Sequence, residues 1–189
     1  KLIIMLRILT NTSAPILVIM VIMGTFSLSA QKLITKTMVV DFYSTTPIED
    51  IEAHLEDGLG IINTASNKAV FQVKIESFEF EKALMQEHFN ENYLHSVRYP
   101  KAIFSVTIEG MEDWSNQGEY AVNLVGDMLV HGVTRSINVP ATIAINQAIG
   151  MELTANFTIK PEDHGIEVPS LVVAKIAESI DIHVKATFK

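Results

Sequence analysis

The sequence predicts an all-β fold with short helices, a soluble eight-stranded antiparallel up-and-down β-barrel. Apolar and polar residues alternate along most of the chain, which is the period of a strand with one buried face. The segments between these runs are short and rich in turn residues, which favours antiparallel hairpins. Several runs exceed ten residues, and such long strands suit a closed barrel better than the alternative, a two-sheet sandwich.

The predicted strands follow one another in chain order. Two weaker strands open the domain, near Thr35–Thr45 and Ile51–Asn63, and six stronger ones follow. The apolar faces of these six are Phe71, Val73 and Ile75; Phe104, Val106 and Ile108; Tyr120, Val122, Leu124, Met128 and Val130; Ile137, Val139, Ala141, Ile143 and Ile145; Met151, Leu153, Ala155, Phe157 and Ile159; and Ile180, Ile182, Val184, Ala186 and Phe188. Charged residues occupy the opposite faces, so we expect the apolar side to point inward, unlike that of an outer-membrane barrel.

Hairpin turns and two helices connect these strands. The stretches "TASNK", "SNQG", "HGVT" and "NQAIG" are typical of turns. Helices are expected over Glu81–Asn92, between two strands, and over Ser170–Glu178, before the last strand. We find no internal repeat and no linker, so residues 31–189 are interpreted as one domain.

The first thirty residues resemble a secretory signal peptide. Lys1 and Arg7 precede the apolar run Ala14–Leu28, and small residues follow up to Ala30, after which we expect cleavage. The run is short for a membrane span, although an uncleaved anchor stays open as the alternative. The pattern therefore predicts export to the periplasm or the cell exterior, with no stable membrane insertion of the mature domain.

Composition excludes several classes of function. The full chain has 22 acidic and 14 basic residues, and removing residues 1–30 changes the net charge from −8 to −10. Such a surface argues against binding to nucleic acid or to anionic membranes, because both need a basic footprint. The absence of Cys excludes disulfides, thiolate metal sites and a Cys nucleophile.

One predicted helix carries a group of polar residues that could indicate chemistry. His88 and Glu91 are three residues apart on one helical face, and His95 follows. A zinc site needs at least a third protein ligand, and the spacing is not that of a metalloprotease helix. We therefore expect no metal, no cofactor and no catalytic residue here. The helix is interpreted as a plug over a barrel opening, with these side chains as candidates to face the interior: Leu84, Met85, Phe89 and Tyr93.

The interior of the barrel is open to two interpretations from these residues. An eight-stranded barrel is either just filled by its side chains or holds one small ligand. The inward faces mix large residues such as Phe71 and Phe104 with small ones such as Ala141, Ala155 and Gly126. This mixture is compatible with an elongated apolar slot and equally with large residues filling the gaps beside small ones.

A family resemblance favours the slot. Three segments, "SFEFEKALMQEHFNENYLHSVRYPKAIF", "GEYAVNLVGDMLVHGVTRSINVPATI" and "FTIKPEDHGIEVPSLVVAKIAESIDIHV", resemble in this order the YceI-like family of secreted proteins. The resemblance extends from about Thr35 to Lys189. It implies a lipocalin-like barrel whose long cavity binds polyisoprenoid or other lipid-like chains, and it implies export.

The resulting prediction is an exported protein that holds a polyisoprenoid, a quinone-like molecule or another long-chain lipid inside the barrel. The expected partner is this ligand, and a homodimer is left open. The alternatives are an enzyme at the barrel mouth that uses His88, Glu91 or His95, and a ligand-free secreted stress or interaction protein. The candidate lipid-contacting residues are Phe71, Val73, Ile75, Leu84, Met85, Phe89, Phe104, Val106, Ile108, Tyr120, Val122, Leu124, Met128 and Phe157.

Overall fold

The computed structural model of the chain describes residues 31–146, 150–168 and 176–189. Its strands are β1 (Lys32–Thr45), β2 (Asp50–Leu55), β3 (Leu59–Asn63), β4 (Lys68–Lys74), β5 (Glu79–Phe80), β6 (Lys101–Glu109), β7 (Gly118–Val130), β8 (Val133–Asn146), β9 (Gly150–Ile159) and β10 (Ile180–Phe188). One α-helix, α1 (Ala83–His88), continues into a π-helical turn (Phe89–Tyr93). Short 3-10 turns lie at Ile75–Ser77 and Pro161–His164.

The strands close into an antiparallel up-and-down barrel, which confirms the predicted fold class. Going round the ring, the order is β1, β3, β4, β6, β7, β8, β9 and β10, and β10 pairs with β1 to complete it. The closing register runs from Thr35 opposite Phe188 to Tyr43 opposite Asp181. Strands β2 and β5 extend the wall at one end, where β2 pairs with the last residues of β1 and β5 pairs with β2.

The second predicted strand, Ile51–Asn63, is wrong as a single element. The structure divides it into β2 and β3, with a break at residues 56–58. The Gly58 amide donates to the Met38 carbonyl oxygen at 3.1 Å, and a Cβ on Gly58 would lie only 2.7 Å from Met38 Cγ. The chain therefore leaves the regular strand where it packs against the buried Met38 side chain, a contact that local alternation does not reveal.

The other connections agree with the predicted turns where the structure describes them. A turn spans residues 64–67, and Asn67 adopts a positive φ of 53°. A tight turn at His131 and Gly132 joins β7 to β8, and both residues have positive φ. Part of the "NQAIG" turn lies outside the described residues.

The first predicted helix is present but two residues shorter at its start, since α1 begins at Ala83. The second predicted helix, Ser170–Glu178, falls largely outside the described residues, as does the predicted signal peptide at residues 1–30. In the described part of the chain, no helix has the length and apolar character needed to cross a membrane.

At Gly126, the backbones of β6 and β7 leave no room for a side chain. A Cβ at this position would lie 2.0 Å from the Ser105 carbonyl oxygen and 2.7 Å from Val106 Cα. Only glycine lets the two backbones come this near, because any side chain would push the strands apart. Gly126 thus allows β7 to stay paired with β6 in regular register at this point.

The two ends of the barrel differ in how they are filled. At the end that carries the turn at residues 64–67, the inward side chains are buried, and Ile62, Ile108, Ile143 and Phe188 are each at most 1% exposed. We call this the closed end. The opposite end, which we call the mouth, carries α1, the turn at His131 and the 3-10 turn at Pro161–His164. A cavity lies at the mouth.

Candidate ligand cavity

A cavity of about 490 Å³ occupies the half of the barrel nearest the mouth. Its wall consists almost entirely of apolar side chains, drawn from β1, β4, β6, β7, β8, β9 and β10 together with α1. Leu124, Val139 and Leu153 lie at its inner end, where they adjoin the filled core. The sequence left open whether the barrel is filled or hollow, and the structure combines the two: one half is filled and the other is hollow.

Most of the candidate lipid-contacting residues line this cavity. They are Phe71, Val73, Ile75, Leu84, Met85, Phe89, Phe104, Leu124, Met128 and Phe157. Tyr93, which we also expected to face the interior, lines it too, and burial raises the pKa of its hydroxyl above the ordinary value. That these residues contact a lipid stays a prediction.

The remaining four candidates lie outside the cavity wall. Val106, Ile108 and Val122 point inward but are buried in the closed end. Tyr120 is half-buried, and its hydroxyl donates to the Asn116 carbonyl oxygen at 3.0 Å. Alternation correctly assigns Val106, Ile108 and Val122 to the inside of the barrel. It does not predict the position of a residue along the barrel axis, and this position separates core residues from cavity residues.

Part of the cavity wall is not among the candidate lipid-contacting residues. The inward row of β1 (Met38, Val40, Phe42 and Ser44) lines the cavity, as do Phe78, Phe80 and three residues of β10: Ile180, Ile182 and Val184. The β1 row also alternates in the sequence, although the alternation of this strand is weaker than that of the later strands. Only closure of β1 onto β10 makes the two rows face one space.

An aromatic cluster holds the helical segment against the barrel. The Phe89 ring lies 5.5 Å from that of Phe42, 5.8 Å from that of Phe78 and 5.0 Å from that of Phe80, measured between ring centroids. All four side chains line the cavity. Phe89 therefore serves both as the anchor of the helical segment and as part of the cavity wall, which supports the interpretation of this helix as a plug.

The helical segment is also tethered at both ends, so it lies across the mouth as a strap. At its start, Lys82 Nζ lies 3.7 Å from Glu49 Oε1 in the turn between β1 and β2. At its far end, His95 Nδ1 lies 2.8 Å from His131 Nε2 in the turn between β7 and β8. The Tyr99 ring packs edge-on against His131, with 4.6 Å between centroids.

Hydrogen bonding determines the protonation pattern of the histidine contact. His131 Nδ1 lies 3.3 Å from the His164 carbonyl oxygen, so this nitrogen is the donor and carries the proton. In neutral His131, Nε2 is then the acceptor, and His95 Nδ1–H donates to it. His164 is 2% exposed, and its own Nδ1–H donates to the Val133 carbonyl oxygen at 3.2 Å. These contacts join three segments of the mouth and give His95 a structural partner.

The polar residues first considered as a catalytic or metal group occupy different surroundings. His88 lines the cavity at the mouth, Glu91 is exposed on the π-helical turn, and His95 contacts His131 instead. Within the residues that the structure describes, no three His, Asp or Glu side chains are grouped closely enough to hold a metal ion.

The cavity wall carries little net charge. Among the described residues that line the cavity, Glu49 carries a carboxylate and Lys82 carries an ammonium group. These two groups form an ion pair with each other.

A separate group of acidic residues and a histidine lies on the outer wall, where His54 Nδ1 is 2.5 Å from Asp41 Oδ1 and His54 Nε2 is 3.2 Å from Glu56 Oε1. The hydrogen bond to Asp41, and secondarily that to Glu56, raises the pKa of His54 above its ordinary 6.5.

A closed eight-stranded antiparallel barrel with an apolar cavity open at one end is an architecture that lipocalins also have. Within this broad architecture, the chain belongs to the YceI-like domain family, whose sequence model matches residues 29–188. Among curated proteins, the comparison finds none that matches the chain.

Solved structures share the fold at low sequence identity. A polyisoprenoid-binding domain from Saccharophagus degradans, implicated in plant cell wall breakdown, is 13% identical with a TM-score of 0.71, and the match covers 83% of this chain and 97% of that one. BcnA from Burkholderia cenocepacia is 16% identical with a TM-score of 0.65, over 79% and 94% of the two chains. The Campylobacter jejuni YceI protein is 18% identical with a TM-score of 0.53, over 70% and 81%.

Proposed function

We propose that the protein is an exported binding protein that holds a polyisoprenoid or another long-chain lipid in the barrel. The observation that carries this proposal is the cavity itself, about 490 Å³ of apolar space that opens at the mouth. Pockets for small ligands commonly have 300–1,000 Å³ and predominantly apolar walls. The polyisoprenoid binding of the Saccharophagus degradans domain, which shares the fold, agrees with this ligand class.

The cavity volume limits how much of a ligand lies inside. At ~30 Å³ for each water-sized group, 490 Å³ holds roughly 16 non-hydrogen atoms. A chain of about fifteen carbons fits, and a longer polyisoprenoid would leave its remaining units outside the mouth. Burying about 400–600 Å² of apolar tail at ~25 cal/mol per Å² contributes on the order of 10–15 kcal/mol before the costs of association. This is ample for binding without many polar contacts.

The proposal includes export and excludes catalysis. Export is supported by the basic start, the apolar run and the small-residue exit within residues 1–30. A binding role without catalysis is supported by the separation of His88, Glu91 and His95 into different surroundings. Cell fractionation tests the location, and the mass of the exported protein tests cleavage after Ala30. The homodimer stays a prediction, for which light scattering of the purified protein gives the mass.

Ligand uptake tests the proposed function directly. The protein, purified without detergent, is extracted with organic solvent for mass spectrometry and separately titrated with a fluorescent isoprenoid. We expect a bound lipid or saturable uptake. The variant Ala155→Phe places a ring in the cavity wall and should weaken uptake at least tenfold, whereas Ala121→Phe, on the exposed outer face of β7, should leave it unchanged. A lipid-free protein that takes up no probe would refute the proposal.

A further inference from the structure

A buried hydroxyl group interrupts the apolar wall of the cavity. The inward row of β1 runs Met38, Val40, Phe42 and then Ser44, all of which line the cavity. Ser44 is 2% exposed, so water does not satisfy its hydrogen bonds from the outside. It is the residue of this row nearest the mouth, opposite Ile51 of β2.

Among the described residues, the hydrogen bonds of Ser44 leave its donor unused. Its Oγ accepts a hydrogen bond from the Ala177 amide at 2.9 Å. A serine hydroxyl also has one proton to donate, and within residues 31–146, 150–168 and 176–189 no acceptor receives it. A buried donor without an acceptor is costly, and such groups normally have a partner. An oxygen atom of a ligand in the cavity would serve as the acceptor for this donor.

The charges that the structure describes beside Ser44 favour a neutral acceptor over an anionic one. Lys82 is the ammonium group among the described lining residues, and it is already paired with Glu49, five residues from Ser44. A phosphate or carboxylate head group at this corner would meet the Glu49 carboxylate and would compete for Lys82. A hydroxyl, carbonyl or ester oxygen accepts from Ser44 without that repulsion.

Resting on the proposed function, we infer that Ser44 is a specificity-determining residue that binds the oxygen of a neutral head group. The site takes isoprenoid alcohols, ketones or esters, and it disfavours isoprenoid phosphates. The head group lies at the corner formed by Ser44, Glu49 and Lys82, and the tail extends from it toward Leu124 and Leu153 at the inner end. The ligand therefore enters tail first.

Three probes of equal carbon number test this inference: farnesol, its hydrocarbon analogue farnesene, and farnesyl phosphate. We expect the parent protein to bind farnesol about two- to tenfold more tightly than farnesene, the effect of one additional hydrogen bond, and to bind farnesyl phosphate more weakly than farnesol. In Ser44→Ala the ratio of farnesol to farnesene affinity should fall to about one. Ser44→Thr keeps the hydroxyl and should retain the preference. Ser105→Ala removes an exposed serine from the outer wall and is the matched control.

The outcomes separate this inference from the proposed function. If the parent binds all three probes and Ser44→Ala leaves the farnesol-to-farnesene ratio unchanged, the role of Ser44 is refuted while lipid binding stands. Tighter binding of farnesyl phosphate than of farnesol refutes the neutral head group. If the folded parent binds none of the probes, lipid binding fails and this inference fails with it. Because Ser44→Ala also removes the acceptor of the Ala177 amide, its unfolding curve is measured alongside, and the ratio of affinities is the deciding quantity.

Discussion

Replacing Phe89 by alanine should loosen the strap over the mouth more than any other single change in α1 or the π-helical turn. The Phe89 ring contacts Phe42, Phe78 and Phe80 at centroid distances of 5.0 to 5.8 Å. Each aromatic pair contributes about 0.5–1.5 kcal/mol beyond buried area, and a fully buried Phe→Ala change costs about 3–5 kcal/mol. Phe89 is only half-buried, so we expect a loss of about 2–3 kcal/mol.

Urea and thermal unfolding measure this loss. For a domain of this size, 2–3 kcal/mol corresponds to a decrease in Tm of about 4–12 °C. Relative to the parent, the Phe89→Ala variant should show a larger increase in amide hydrogen exchange in the helical segment than in β7 or β8. The reason is that the strap loses its anchor while the hydrogen bonds between the strands stay intact. The matched control is Leu84→Ala in the same helix, where the side chain is 61% exposed, and it should cost less than about 1 kcal/mol. Equal losses for the two variants would refute the anchoring role of the aromatic cluster.

Two further predictions concern the barrel wall. The pKa of His54 is raised in the folded state by Asp41 and Glu56, so its contribution to stability is fully present below about pH 6.5 and is lost as pH rises through the higher folded pKa. Unfolding of the parent and of His54→Gln across pH 5–9 should show the largest difference at the acid end, and a pH-independent difference would contradict this sign. Gly126→Ala should destabilise by about 1–3 kcal/mol or more, because its Cβ would lie 2.0 Å from the Ser105 carbonyl oxygen; an unfolding curve that coincides with the parent's would contradict the close approach.

Strand identity could be predicted well because alternation is a local property. In β7, Val122, Leu124 and Met128 share a face that the sequence assigned to the interior, and all three are buried. The period of two determines the face of each residue whatever the distant partners are. The break between β2 and β3 could not be predicted in this way, because it depends on Met38, which reaches residues 57 and 58 only after the sheet has formed.

The candidate site was predicted by type and only partly by position. Alternation and the family resemblance indicated an apolar interior, yet Val122 lies in the filled core whereas Leu124, two residues on, lines the cavity. The height of a residue within a barrel depends on strand tilt and register, which long-range pairing determines. The contact between His95 and His131 is likewise beyond local reasoning, since it joins residues 36 positions apart.

The sequence by itself therefore determined most of the strands, the faces that point inward, the presence of a helix between β5 and β6, and the resemblance to the YceI-like family. Only the tertiary structure decided that one end of the barrel is filled, that the other encloses about 490 Å³, and that the helical segment crosses the mouth. It also decided that Ser44, an ordinary polar residue in the sequence, is a buried donor in an apolar wall. The physical reason is that periodicity acts between near neighbours, whereas enclosure arises only when β1 closes against β10 at the opposite end of the chain.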